Sequence, residues 1–258
     1  YVIAFLAMGL LASGTYIVND MADLDADRAH PRKRLRPLAA GDLPLAIGWI
    51  AAPALIALGI AIAFWVSPLC GATMVTYLAI TLAYSFDLKK RPLLDVLVIA
   101  VLFTLRIVAG MVIVSTELSY WLLNFSAFLF TSLALMKRDA ELLNMRAREQ
   151  SWAHGRGYGA ADREFVFAAG VATATASQVI FALFVSSLLE NGRQYSMPFL
   201  LWISQFFLGY WLMRLWFKTH RGEMHEDPIV YTFRDRVGLL ALAAVGFAAA
   251  AFVGVLIS

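Results

Sequence analysis

The chain of 258 residues is 61% hydrophobic and only 15% charged, whereas soluble domains carry about 25% charged residues. Its apolar residues fall in long unbroken runs and not in the short alternation of a barrel strand, which excludes a soluble globular domain and a β-barrel and leaves an all-α, polytopic membrane bundle. The formal net charge of +3 says little until its distribution is read; no nucleic-acid partner is expected.

Eight candidate spans follow in order: 1–18, 44–66, 68–86, 93–114, 120–136, 163–188, 197–218 and 236–257. Most can cross a hydrocarbon core of about 30 Å at 1.5 Å per residue. The run at 120–136 is short and is expected to draw on its polar flank. The single Cys70 lies in an apolar run and reads as a small buried residue. No signal peptide is evident. Because the chain opens at Tyr1 inside an apolar run, it is expected to be a piece of a longer polypeptide.

At the end of the first span stands Asn19-Asp20-Met21-Ala22-Asp23-Leu24-Asp25-Ala26-Asp27. If the helix continues, each residue advances about 100°. Asn19, Asp20, Asp23 and Asp27 then share one face, and Asp25 points nearly opposite. Carboxylates three and four apart repel one another, and a bound cation removes that cost. Oxygen-only ligands suit a hard ion; Mg²⁺ takes one or two carboxylates together with substrate phosphates. Asp20, Asp23 and Asp27 are therefore the expected metal ligands, and with Asn19 the expected catalytic residues.

The loop that follows, His30-Pro31-Arg32-Lys33-Arg34-Leu35-Arg36-Pro37, is denser in charge than membrane topology requires. Lys33, Arg34 and Arg36 are expected to hold phosphates that share the metal. Attraction to anionic headgroups is the other reading. Tyr84 sits at a membrane interface, and Lys89 lies within reach of a phosphate. Asp95 and Arg106 are eleven residues apart, about 20° off the same helix face and about 16 Å along the axis. A charge as deep in a span as Arg106 faces a partner or a polar cavity. Arg214, nearer its span's end, is expected to snorkel to water.

Eighteen of the 21 Lys and Arg residues lie in the loops 19–43, 87–92, 137–163 and 218–236. Arg193 alone lies in the opposite loops. The positive-inside rule then places the basic loops, and with them the aspartates, in the cytoplasm. Further along comes Lys137-Arg138-Asp139-Ala140-Glu141. Asp139 and Glu141 are two apart, about 200° around a helix, and cannot readily share an ion. Lys137 and Arg138 offer cations to a phosphate, with Glu141 orienting Arg138. No His pair at i, i+4 spacing accompanies a carboxylate, so zinc is not expected.

These residues together resemble the UbiA-type superfamily of intramembrane prenyltransferases. The family motif Asn-Asp-x-x-Asp-x-x-x-Asp, at the end of the second family helix, reads here Asn19, Asp20, Asp23, Asp27. The resemblance implies a nine-helix bundle around a central cavity, with one UbiA-type domain covering 1–258. Eight spans imply that the first family helix, and any upstream domain, lies outside this chain. Two branches look similar. The polyprenyl-phosphate phosphoribosyltransferases share the pattern His30-Pro31-x-Lys33-Arg34-x-Arg36-Pro37-x-Ala39-x-Gly41, then Leu88-Lys89, Asp95, Leu105-Arg106, Ala109-Gly110, Lys137-Arg138-x-x-Glu141-Leu142 and Arg234-Asp235-Arg236. A bacterial branch often fused to a haloacid-dehalogenase-like phosphatase resembles Gly155-Arg156-Gly157-Tyr158 and the segment from His220 to Pro228. The second Asp-x-x-x-Asp motif of prenyl-diphosphate users is replaced here by the Lys137–Glu141 stretch.

The resemblance implies an Mg²⁺-dependent transferase of a bacterial-type inner membrane, acting on a polyprenyl phosphate or diphosphate with release of pyrophosphate. The favoured donor is phosphoribosyl pyrophosphate, with a polyprenyl phosphate as acceptor. The alternative is a prenyl diphosphate donor with an aromatic or other lipophilic acceptor. A third reading is a carrier of anionic lipids without chemistry.

Overall fold

The structure is a computed structural model that describes residues 2–29, 33–114, 119–146, 157–190, 199–224 and 227–257. Expectations that rest on Tyr1, His30, Pro31, Gly155, Arg156, Arg193, His225 and Glu226 lie outside the described residues. Every element among the described residues is helical. These elements divide into two compact units, one holding the helices up to Val114 and the other those from Tyr120 onward.

The first unit contains α1 (Val2–Ala22), α2 (Leu24–Ala29), α3 (Pro37–Ala40), α4 (Leu45–Val66), α5 (Pro68–Phe86) and α6 (Leu94–Val114). The long helices form where the sequence is apolar on nearly every side. Small residues decide how closely they approach. A Cβ on Gly14 of α1 would stand 2.9 Å from the Ala52 carbonyl of α4, and one on Gly59 of α4 would stand 2.8 Å from the Ala7 carbonyl of α1. The two backbones therefore meet almost directly, as small residues permit between membrane helices. Ala4, Ala7, Leu11, Ala63, Cys70, Met74, Tyr77 and Leu102 make the buried core of this unit. Cys70 is buried, as its setting in the sequence suggests. Ser67 alone separates α4 from α5; its hydroxyl accepts from the Cys70 N–H at 3.0 Å, and Pro68 takes the first helical position. The chain enters α6 through Leu93 at φ 65°, a left-handed conformation that costs a non-glycine residue roughly 1–2 kcal/mol.

The second unit contains α7 (Tyr120–Arg146), α8 (Arg163–Glu190), α9 (Phe199–His220), α10 (Pro228–Arg234) and α11 (Arg236–Ile257). The apolar run at 120–136 does continue into its polar flank, since α7 is unbroken to Arg146. Three helices lock on one buried polar chain. The Trp216 indole N–H donates to the Ser132 hydroxyl at 3.0 Å, and that hydroxyl donates to the Gly170 carbonyl at 2.9 Å. Gly170 has no side chain because the Trp216 ring fills its place: an added Cβ would lie 2.2 Å from that ring. Arg214 does not snorkel to water as expected. It donates to both Asp235 oxygens at 2.6 and 2.8 Å, and Asp235 also accepts from the Gly238 N–H at 3.0 Å, capping α11. The Arg214 hydrogen bonds hold the Asp235 carboxyl below its ordinary range.

Helices occupy the described residues of all eight expected segments. Five of them, Val2–Ala22, Leu45–Val66, Pro68–Phe86, Leu94–Ile113 and Ala160–Leu188, are long and apolar enough to cross a membrane, and Arg236–Ala251 is apolar but shorter. Among the described residues these five have the length and apolarity of a membrane span; α7 carries Lys137, Arg138, Asp139 and Glu141 in its second half.

Gly170→Ala should lower the thermal stability of the purified protein. Overpacking of a tight core costs typically 1–3 kcal/mol, and a fall in melting temperature in detergent would register it. An unchanged melting temperature would show that Trp216 can move at no cost.

Candidate active site

Backbone bonds carry the helical register across the break between α1 and α2. The Asp23 N–H donates to the Asn19 carbonyl at 3.0 Å and the Asp27 N–H to the Asp23 carbonyl at 2.8 Å. Asn19, Asp20, Asp23 and Asp27 are thereby kept on one face, while Asp25 is exposed. Asp27 is only 2% exposed. A carboxylate so deeply placed needs a cation.

Two loops supply cations. Lys33, Arg34 and Leu35 form one tight helical turn, after which Arg36 precedes α3 in extended conformation. Arg36 Nη1 donates to Asp27 Oδ2 at 2.6 Å and to Asp20 Oδ1 at 2.9 Å. Lys33 Nζ stands 3.9 Å from Asp27 Oδ1. Arg34 is exposed. The second loop is the turn Leu88–Lys90 after α5. Lys89 Nζ donates to Asp23 Oδ1 at 2.5 Å and to Asn19 Oδ1 at 3.4 Å. Tyr84, half-buried, lies in the last turn of α5 just before this loop. Lys33, Arg36 and Lys89, read from sequence as phosphate ligands, are thus held by the acidic residues themselves.

The donor set fits Mg²⁺ on chemical grounds, being oxygen only. Among the described residues no three carboxylate, imidazole or thiol side chains converge on one point. The oxygen-bearing side chains gather in two pairs, the carboxylates of Asp20 and Asp27 on Arg36 and the Asn19 amide with the Asp23 carboxylate on Lys89. An ion here would bind through one or two carboxylates and complete its shell with phosphate and water, which is the habit of Mg²⁺ and not of a closed protein cage.

Asp95 is fully buried in the first turn of α6. Arg106, on the same helix, finds Tyr77 of α5: its guanidinium donates to the Tyr77 hydroxyl at 2.7 Å and lies 4.8 Å from the Phe103 ring centroid. Arg106 also lines a cavity of about 490 Å³ between α1 and α6, otherwise walled by apolar residues, with Met74 of α5 buried at its base. Asp95 is not among the residues that line it.

In the second unit, Arg138 is 2% exposed and bonds Glu141, while Asp139 turns inward to Arg163 at 3.1 Å. Asp139 and Glu141 accordingly serve different partners. Lys137 Nζ reaches Asp227 Oδ2 at 3.0 Å, and Asp227 Oδ1 caps α10 by accepting from the Ile229 N–H at 3.1 Å. Sequence reasoning did not single out Asp227 for a role. The signal was present as an Asp followed by Pro at a helix start. The partner choices of Arg214 and Arg163 left no comparable trace, because both join residues distant in sequence.

A multi-pass helical membrane protein with acidic and basic side chains gathered at one helix end is the class that this architecture defines. Over residues 1–236 the chain matches the UbiA prenyltransferase family, and it belongs to that family. It is 43% identical over 232 residues to the uncharacterized protein y4nM of Sinorhizobium fredii, covering 90% of this chain and 45% of that one. To the decaprenyl-phosphate phosphoribosyltransferase of Mycolicibacterium smegmatis it is 39% identical over 140 residues, 54% of this chain and 44% of the relative. The chain spans less than half the length of either relative. A UbiA homologue from Archaeoglobus fulgidus, solved bound to GPP and Mg²⁺, superposes with a TM-score of 0.71 at 17% identity, covering 98% of this chain and 85% of that one. That likeness establishes the shared fold.

If these paired side chains are the divalent-ion site, Asp20→Asn and Asp23→Asn should each weaken Mn²⁺ binding, measured by calorimetry in the presence of pyrophosphate. Asp25→Asn, on the exposed side, should leave it unchanged. Equal loss at Asp25 would sink the helical-face argument.

Proposed function

We propose that this protein is an Mg²⁺-dependent transferase that moves a phosphoribosyl group from phosphoribosyl pyrophosphate to a polyprenyl phosphate. One observation carries the reading: Asn19, Asp20, Asp23 and Asp27 meet Lys33, Arg36 and Lys89 at the end of α1. Three carboxylates are matched there by three cations. A divalent ion held by Asp20 and Asp23, with Asn19 and Asp27 beside them, would supply positive charge to the departing pyrophosphate.

The side chains of the protein do the rest. Arg36 and Lys89 exchange carboxylate oxygens for phosphate oxygens when pyrophosphate arrives. Arg36 does so with a planar fork suited to phosphate, and Lys89 as a point charge. That exchange keeps the site near charge balance, since ion and pyrophosphate enter with opposite signs. Lys33 remains beside Asp27, and Tyr84 shields the Lys89 side of the site. Arg34, being exposed, meets the membrane surface or the outer phosphate. Asp95, at the cytoplasmic end of α6, is proposed to orient the donor through its hydroxyls. Lys137 and Arg138, with Glu141 orienting Arg138, are proposed as phosphate-binding residues of the second unit; a phosphoribosyl donor carries a 5-phosphate that a prenyl diphosphate lacks. Similarity to the decaprenyl-phosphate phosphoribosyltransferase supports this donor. So does the separation of Asp139 from Glu141, which leaves no second paired-carboxylate site there.

The alternative is prenyl transfer from a prenyl diphosphate to an aromatic or other lipophilic acceptor, favoured by the GPP-bound relative of the same fold. Either way the active-site loops are proposed to face the cytoplasm of a bacterial-type inner membrane.

Purified full-length protein should consume phosphoribosyl pyrophosphate together with decaprenyl phosphate. Arg138→Ala should raise the Michaelis constant for the donor roughly ten- to hundred-fold, the loss of one charged hydrogen bond worth about 1.5–3 kcal/mol, with little change for the lipid. Turnover of a prenyl diphosphate with an aromatic acceptor, and none of phosphoribosyl pyrophosphate, would hand the case to the alternative. Orientation is tested by impermeant maleimide on intact cells: Ser119→Cys should label and Asp42→Cys should not, Cys70 being buried.

A further inference from the structure

The cavity beside Arg106 raises a question that the site at the end of α1 does not answer. Two helical glycines, Gly9 of α1 and Gly110 of α6, line it. Glycine is among the weakest helix formers, and alanine in its place favours the helix. Gly14 and Gly59 repay that weakness by letting α1 and α4 touch. Gly9 and Gly110 have no such reason: a Cβ built on either meets nothing within 4 Å. Both are exposed, and neither has the positive φ that would demand glycine. What they do share is the cavity, whose width depends on both lacking a side chain.

The position of the cavity ties it to the acidic site. Gly9 and Asp20 are eleven residues apart on α1, about 20° off the same face and about 16 Å along the axis. Ala12, which also lines the cavity, precedes Asn19 by two turns on that face. The antiparallel run of α6 sets Arg106 toward the acidic end and Gly110 one turn beyond it. A molecule anchored by phosphate at Asp20 and lying along α1 therefore passes Ala12 and Arg106 first and reaches the glycines only if it is long. Below Arg106 the walls are apolar, so the part that reaches the glycines must be apolar too.

We propose that Gly9 and Gly110 set the length of isoprenoid chain that the protein accepts, by holding the cavity open beyond Arg106. The proposal rests on the reading of the substrate as a polyprenyl phosphate or diphosphate and holds for either donor. A leucine at Gly9 or Gly110 projects into the cavity and, because helical side chains lean toward the N-terminus, covers the wall away from the acidic site on α1. Long chains are then blocked and short ones are not.

The test is binding of radiolabelled geranyl phosphate and decaprenyl phosphate to the full chain in detergent, with Mg²⁺ present. Wild type, Gly9→Leu, Gly110→Leu and a control, Gly246→Leu, are compared; Gly246 is a helical glycine with open space in the other unit. Both cavity variants should lose decaprenyl phosphate affinity by about ten-fold or more, the scale set by a misfit methylene in an apolar pocket. Geranyl phosphate should bind as in wild type, which also reports that the variants are folded. The control should bind both as wild type does. Unchanged decaprenyl phosphate binding in both cavity variants, or equal loss of the two lipids, overturns the proposal. If wild type binds neither lipid, the polyprenyl reading itself falls, and that result is distinct from a failure of the length gauge.

Discussion

One nitrogen of Arg36 serves two carboxylates, and the end of the first unit that carries the aspartates is arranged around that contact. Two like charges 4 Å apart near a protein surface repel by about 4 kcal/mol, so a helix that carries three aspartates on one face does not end stably by itself. Arg36 answers Asp20 and Asp27, and Lys89 answers Asp23. Each cation comes from a different loop. The loop before α3 and the turn after α5 are both folded back onto the end of α1 by the same requirement. The loops have little apolar surface of their own to bury; charge compensation is what fixes their shape.

Away from that end, space governs. The apolar helices gain nothing by hiding from lipid, so contact between them depends on how closely their backbones can approach. At Gly14, Gly59 and Gly170 the missing side chain is filled by a neighbour. Polar atoms in the helical interior are then spent on specific joints: Ser132 with Trp216 and Gly170, Trp211 with Thr232, Arg106 with Tyr77. Each joins helices that an apolar contact alone would leave free to slide.

The helices were legible because apolar runs of twenty residues admit few alternatives, and the shared face of Asn19, Asp20, Asp23 and Asp27 was legible because it follows from helical period alone. The basic residues of the site were also readable, as Lys33, Arg36 and Lys89 stand out by charge density. Their partners were not. Arg36 pairs across nine and sixteen residues, Lys89 across sixty-six, and Arg214 across twenty-one. Periodicity says which side of a helix a residue faces but not what faces it. Arg214 shows the consequence: its place near a helix end suggested water, and only the fold brings Asp235 to it. The cavity was invisible for the same reason, since Gly9 and Gly110 meet across it from helices a hundred residues apart.

Ser67 leaves α4 and α5 joined by a single residue. Closing so short a connection costs almost no chain entropy, and the hydroxyl of Ser67 begins the second helix as the first one ends. The pair is therefore a local hairpin, closed by contacts between residues adjacent in the chain. Since Lys89 follows the end of α5 by three residues, the position of the hairpin sets where that cation meets α1. Every ion pair described at the acidic site lies within the first unit.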